Sequence, residues 1–176
     1  MKNKKHIGQL VTIKFKFINE DQNFRGYVVD YNQNWTLLKY NPTDFIREGY
    51  VILNNKYTIS YNRGEKERFV EKILNLKGNK VNEKDLIPLD NLETILNYLT
   101  KKYSVFQFSM RTNKTCWLGK VDKIKGDNLK LNYLTPRGKW EKNWNFTMGN
   151  IRTIEFDTDY INSLKLIANK KQGTNP

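Results

Sequence analysis

Phe24-Arg25-Gly26-Tyr27-Val28 and, 93 residues later, Trp117-Leu118-Gly119-Lys120-Val121 carry one pattern: a bulky residue two before a glycine and a β-branched residue two after it. The same offset lays Ile13-Lys14-Phe15-Lys16-Phe17 on Phe106-Gln107-Phe108-Ser109-Met110, and Leu38 and Tyr40 on Leu131 and Tyr133. With a two-residue slip, Asn55-Lys56-Tyr57-Thr58-Ile59-Ser60-Tyr61 then falls on Asn150-Ile151-Arg152-Thr153-Ile154-Glu155-Phe156. Self-similarity at a fixed offset marks a unit written more than once. The pattern predicts two copies, over about 9–77 and 102–170.

Each matched piece reads as a strand. Phe106, Phe108 and Met110 alternate with Gln107, Ser109 and Arg111, and Leu129, Leu131 and Tyr133 alternate with Lys130 and Asn132. A period of two puts one face on a core. Gly126-Asp127-Asn128 between two such runs predicts a tight hairpin. Gly26 and Gly119, inside strands, read as bulges or sharp bends that close a small barrel. The expected fold is mainly β: two tandem small barrels of SH3 or Sm size, with short accessory helices and a helical linker. The first barrel takes 1–80, with a basic N-terminal tail and a C-terminal helix around Phe69, Val70, Ile73 and Leu74. The linker takes 81–101, where Asp90 can cap a helix with Glu93 three residues on and Leu92, Ile95, Leu96 and Leu99 as its apolar stripe. The second barrel takes 102–176 and ends in a helix around Ile161, Leu164 and Ile167.

The chain carries 31 basic and 18 acidic residues, net +13. The charge divides as +7 over residues 1–80, −2 over 81–101 and +8 over 102–176. Attraction to a polyanion is one reading. The other is codon bias, since Lys outnumbers Arg 24 to 7. The single cysteine, Cys116, excludes an intrachain disulfide and fits a reducing compartment; beside Trp117 it reads as a buried, inert thiol. Gln9, Lys14 and Lys16 interrupt any apolar segment after the basic N-terminus, so a cytoplasmic protein without a membrane segment is expected. His6 is the only histidine, which excludes a multi-histidine metal site and a Ser-His-Asp triad away from the N-terminal tail. Asp157 and Asp159 around Thr158 read as a turn capping the last helix. No Gly-rich phosphate loop is present, and no cofactor and no enzymatic activity are expected.

Gly26, Asp30, Asn34 and Leu37 in the first copy, and Gly119, Asp127, Asn128 and Leu131 in the second, resemble the first motif of the Sm-like barrel family. Met148-Gly149-Asn150 before Ile151 and Ile154 resembles its second motif without its arginine, and Leu53-Asn54-Asn55 in the first copy stands in the same place without arginine or glycine. The resemblance implies a small barrel that binds RNA.

Candidate binding residues follow from base and aromatic side chains set close together. Arg137, Lys139 and Trp140 begin a segment that runs to Trp144, where rings could stack on bases while cations hold phosphates. Trp144 and Phe146 share a strand face with Trp140 and read as core. Lys120, Lys123, Lys125 and Lys130 lie on the second copy's central hairpin, with Lys114 nearby, and could track a backbone electrostatically or form a solvated outer face. Asn34 and Trp35 mark a turn whose indole could stack on a base or fold back over the barrel end. Two functions remain open: non-catalytic nucleic-acid binding, RNA before DNA, or a protein-interaction adaptor of the kind used in phage or host-defence systems. Self-association is compatible with both.

Overall fold

The computed structural model describes residues 6–78 and 81–172. Alternating apolar residues build the strands, and the fold is mainly β. Strands β1 (Leu10–Lys16), β2 (Asp21–Tyr31), β3 (Trp35–Tyr40), β4 (Tyr50–Asn54) and β5 (Thr58–Asn62) are followed by helix α1 (Glu65–Leu76). Helix α2 (Leu92–Tyr103) leads into β6 (Phe106–Ser109), β7 (Cys116–Lys125), β8 (Asn128–Leu134), β9 (Trp140–Thr147) and β10 (Thr153–Phe156), and α3 (Asp159–Gln172) ends the described chain. All neighbouring strands are antiparallel, in the order β5-β1-β2-β3-β4-β10-β6-β7-β8-β9.

The sequence reading expects two separate barrels. Instead the ten strands run as one sheet, and among the described residues no pairing closes either half on itself. The join is β4 against β10, with Leu53 opposite Thr153, Ile52 opposite Ile154, Val51 opposite Glu155 and Tyr50 opposite Phe156. Ile52, Ile154 and Phe156 are wholly buried there, so the edge of each half becomes core on meeting the other.

Registers 93 residues apart coincide. Gly26 faces Tyr40 and Gly119 faces Tyr133; Val28 faces Leu38 and Val121 faces Leu131. The register shifts after Val28 in one half and after Val121 in the other. The Asn55 amide donates to the Asn34 carbonyl at 2.8 Å, and the Met148 amide to the Asp127 carbonyl at 2.8 Å. The two-residue slip expected before the last strand therefore lies elsewhere. Val11 faces Gly26 but Phe106 faces Gly119, so it is the first hairpin that is two residues shorter in the second half. Tyr61, not Ile59, then corresponds to Ile154; Ile59 is half exposed while Ile154 is buried.

The two strand glycines are not themselves the bulges, which fall three residues further on, at Val29 and Asp122. They permit close backbone approach: a Cβ on Gly26 would sit 2.5 Å from the Lys39 carbonyl oxygen, and one on Gly119 2.2 Å from that of Asn132. Even Ala is too large at such distances.

The largest core cluster takes residues from both halves and from the segment between them: Trp35, Leu37 and Ile52, then Ile87, Leu89, Ile95, Leu96 and Leu99, then Phe106, Phe108, Leu129 and Leu131. Asn91, rather than Asp90, caps α2; its Oδ1 accepts the Thr94 amide at 2.9 Å. Ahead of α2, the buried Lys39 ammonium meets Asp85 Oδ2 at 2.8 Å, and the Tyr50 hydroxyl donates to the other carboxylate oxygen. Burial opposes the Asp85 charge, but the Lys39 and Tyr50 hydrogen bonds hold its pKa below the ordinary carboxylate value. Such a pair fixes geometry more than it stabilises.

Phe15 and Phe108, equally buried in opposite halves, give the strand faces a direct check. Truncating either to Ala is expected to cost about 3–5 kcal/mol in urea unfolding. A loss below about 1 kcal/mol would place these rings outside the packed core.

Candidate nucleic-acid interface

The lysine-bearing hairpin is made by β7 and β8. Gly126, at φ +57°, takes the left-handed turn position between them. Leu129, Leu131 and Val121 turn into the main core; on the other face Leu118 and Leu134 pack against α3, and the part toward the hairpin tip carries polar residues. On that face Lys120 is opposite Asn132, Lys123 opposite Lys130, and Lys125 opposite Asn128. Like charges directly opposed across strands cost stability. The cost is relieved on one side only: Lys130 Nζ lies 3.5 Å from Asp122, an exposed pair worth at most about 1 kcal/mol. Lys123 and Lys125 are exposed, as is Lys114 in the preceding turn.

Trp140 departs from the expected face. The register shift between Leu131 and Tyr133 turns it away from Trp144 and Phe146, which pack on the main core, and toward Val105, Leu118, Leu134, Ile161 and Leu164. Lys120 Nζ stands 4.9 Å from its ring centroid. The partly buried ring is thus engaged by this apolar cluster and by Lys120. Arg137 and Lys139 are exposed in the turn before β9. That turn is docked on α3 through Gly138, whose Cβ would sit 2.7 Å from Ile167 Cγ2. Lys120 and Trp140 are therefore in contact, and Lys123, Lys125 and Lys130 share the hairpin.

Asn34 and Trp35 do not join this group. Asn34 is exposed in the β2–β3 turn, which is organised by Asn32, whose Oδ1 accepts the amides of Asn34 and Trp35. Trp35 is buried in the main core at 6% exposure and has no free face for a base. Cys116 is exposed rather than buried, because it opens β7 opposite Ser109 on the outer side. Desolvation by partial burial of the thiol, then the Glu155 charge, push its pKa up. Asp157 and Asp159 do flank a cap: Thr158 Oγ1 accepts the Ile161 amide. Among the described residues no cluster of His, Cys, Asp and Glu could hold a metal ion, and no helix is long and apolar enough to cross a membrane.

Two charged residues on the β4–β10 join escaped the sequence reading. Arg152 is buried at 8% exposure; its guanidinium lies 4.0 Å from the Tyr57 ring centroid and Nη1 donates to the Lys16 carbonyl at 2.7 Å. Glu155 lies between Val51 of β4 and Gln107 of β6. Burial, reinforced by Glu48, pushes its carboxyl up to about 7, and burial followed by the charges of Glu155 and Glu48 raises the Tyr40 hydroxyl. The available signal was a charged residue inside an apolar run: Arg152 follows Ile151, and Glu155 separates Ile154 from Phe156.

No family model, curated protein or solved structure matches the chain.

The raised carboxyl of Glu155 has a definite sign. The folded state holds this proton more tightly than the unfolded chain, whose carboxyl titrates near 4.5. The resulting stability is full below that value and is lost as pH rises through about 7. Thermal midpoints are expected to fall between about pH 5 and 8 in the wild type, and Glu155→Gln is expected to flatten that trend. An unchanged trend in the variant would assign the titration to another group.

Proposed function

We propose that this chain is a non-catalytic nucleic-acid-binding protein, preferring RNA to DNA, built from two small β modules of Sm-like kind fused edge to edge. The observation that carries this reading is the polar face of the β7–β8 hairpin. It presents Lys120, Lys123, Lys125 and Lys130 together, of which Lys130 pairs with Asp122. A solvated face needs no opposed lysines at Lys123 and Lys130, and a binding face gains from them when phosphates arrive. Codon bias accounts for the number of lysines but not for their convergence here. The coinciding registers 93 residues apart support the fused-module reading, as does the shared strand order of the two halves. Arg137 and Lys139, in the turn docked on α3, extend the basic surface in this reading.

A protein-adaptor function has its own support. Phe69 and Leu76 are 60% and 81% exposed, and with Ile73 they form an outward apolar stripe on α1. Apolar stripes of this kind take partner segments.

Fluorescence anisotropy with a labelled oligouridylate over a range of salt separates the two. Single strands release about 0.7 counterion per neutralised phosphate. Replacing Lys120, Lys123 and Lys125 together by Gln is expected to flatten the log–log salt slope by about 2, with the thermal midpoint held because outer-face lysines support no core. No binding of RNA or DNA even at low salt would leave the adaptor reading in its place.

A further inference from the structure

Arg152 is a buried cation that pairs with no carboxylate among the described residues. Its hydrogen-bonding partners among the described residues are backbone groups: its amide donates to the Ser109 carbonyl at 3.0 Å, and its Nη1 to the Lys16 carbonyl. Nε is buried and has no hydrogen-bond partner among the described residues. The hydroxyl of Thr58, the residue after Tyr57, is likewise buried and has no partner among the described residues. A second cation approaches the same ring, Lys56 Nζ at 5.9 Å from the Tyr57 centroid, on an exposed side chain. Leaving a buried charge uncompensated is costly, and proteins keep such an arrangement where something else supplies the counter-charge. Guanidinium forks match the oxygens of phosphate, and a flanking lysine adds a point charge.

We propose that the join between the two halves is a phosphate-binding site, in which Arg152 and Lys56, set against Tyr57, take a backbone phosphate of single-stranded nucleic acid. The polymeric ligand rests on the nucleic-acid reading above; the anion site itself does not. The site is distinct from the β7–β8 lysine face, since Arg152 immediately precedes β10 and Lys56 and Tyr57 lie in the turn before β5. It exists only because β4 and β10 are paired: the Asn54 amide donates to the Arg152 carbonyl at 2.9 Å, which fixes the Tyr57 turn against the arginine.

The test uses the full chain with 15N-labelled arginine, titrated with a labelled 12-nucleotide oligouridylate while anisotropy and the Arg152 Nε–H resonance are followed together. The resonance is expected to move and saturate with the anisotropy. Arg152→Met is expected to weaken binding at least about tenfold, the scale of a charge-assisted hydrogen bond. The thermal midpoint of the free variant is expected to hold or rise, because an uncompensated buried charge is gone. A purely structural arginine would give the opposite pair, a lowered midpoint with unchanged affinity, and would overturn the proposal. So would an Nε–H signal that the oligonucleotide leaves unmoved, a measurement on the wild type that stands even if the variant does not fold. Should the β7–β8 lysine variant lose binding while Arg152→Met keeps it, only this inference falls. Should inorganic phosphate move the resonance and the oligonucleotide not, the anion site stands and the nucleic-acid reading falls. An equal response to oligoglutamate would overturn the phosphate assignment.

Discussion

Four residue pairs between β4 and β10 hold the molecule's two halves as one sheet, and most of what is distinctive here depends on them. A strand edge left open exposes unpaired amides and carbonyls, and pairing satisfies them while burying the apolar side chains beside them. Aromatic rings complete the join. Tyr50 stacks on Phe156 with centroids 5.0 Å apart, and Tyr103, at the end of α2, reaches the same ring at 4.7 Å. Tyr50 also binds Asp85, so strand, intervening segment and helix meet at one place. At the other end the first hairpins of the two halves touch, with the Ile18 amide on the Arg111 carbonyl at 2.9 Å and the Asn19 amide group on Asn113. Arg152 and Glu155 owe their burial to this same junction.

The outer edges of the sheet are built differently. Ninety-three residues from Ile52 and Tyr50 on β4 stand Asn145 and Asn143 on β9, both exposed. Ninety-three residues before Ile154 and Phe156 stand Tyr61 and Arg63, and Arg63 is committed to Glu71 and to the Leu10 carbonyl. Polar and engaged residues thus occupy the positions that are apolar at the join.

The alternation of Phe106, Phe108, Leu129 and Leu131 made the strands and the mainly β class legible in the sequence, because a period of two is a local property. So were Gly126 at the hairpin and the apolar stripe of α2. The pairing of β4 with β10 was not legible. Ile52 and Ile154 look like ordinary core residues of their own halves, and nothing local says that they meet. The two-residue slip was misplaced because residue types match almost equally well in either register, whereas hydrogen-bond partners do not. Of the candidate site, the hairpin lysines were readable from strand alternation. Trp140 was not, since a register shift turns it to another face, and Trp35 is buried by the cluster that forms only once the halves are joined. Arg152 showed only as a charge following Ile151; its burial comes from Tyr57 and Lys16, far away in sequence.

Native-state amide hydrogen exchange reads the join directly, by comparing opening free energies of β1–β3 with those of β6–β8. With one core shared across β4 and β10, the slowest amides of both halves are expected to exchange with the same free energy and the same denaturant dependence. Substituting Phe156 by Ala should lower both together. Two distinct plateaus, with Phe156→Ala lowering only that of β6–β8, would contradict the single cooperative sheet and return the halves to independence.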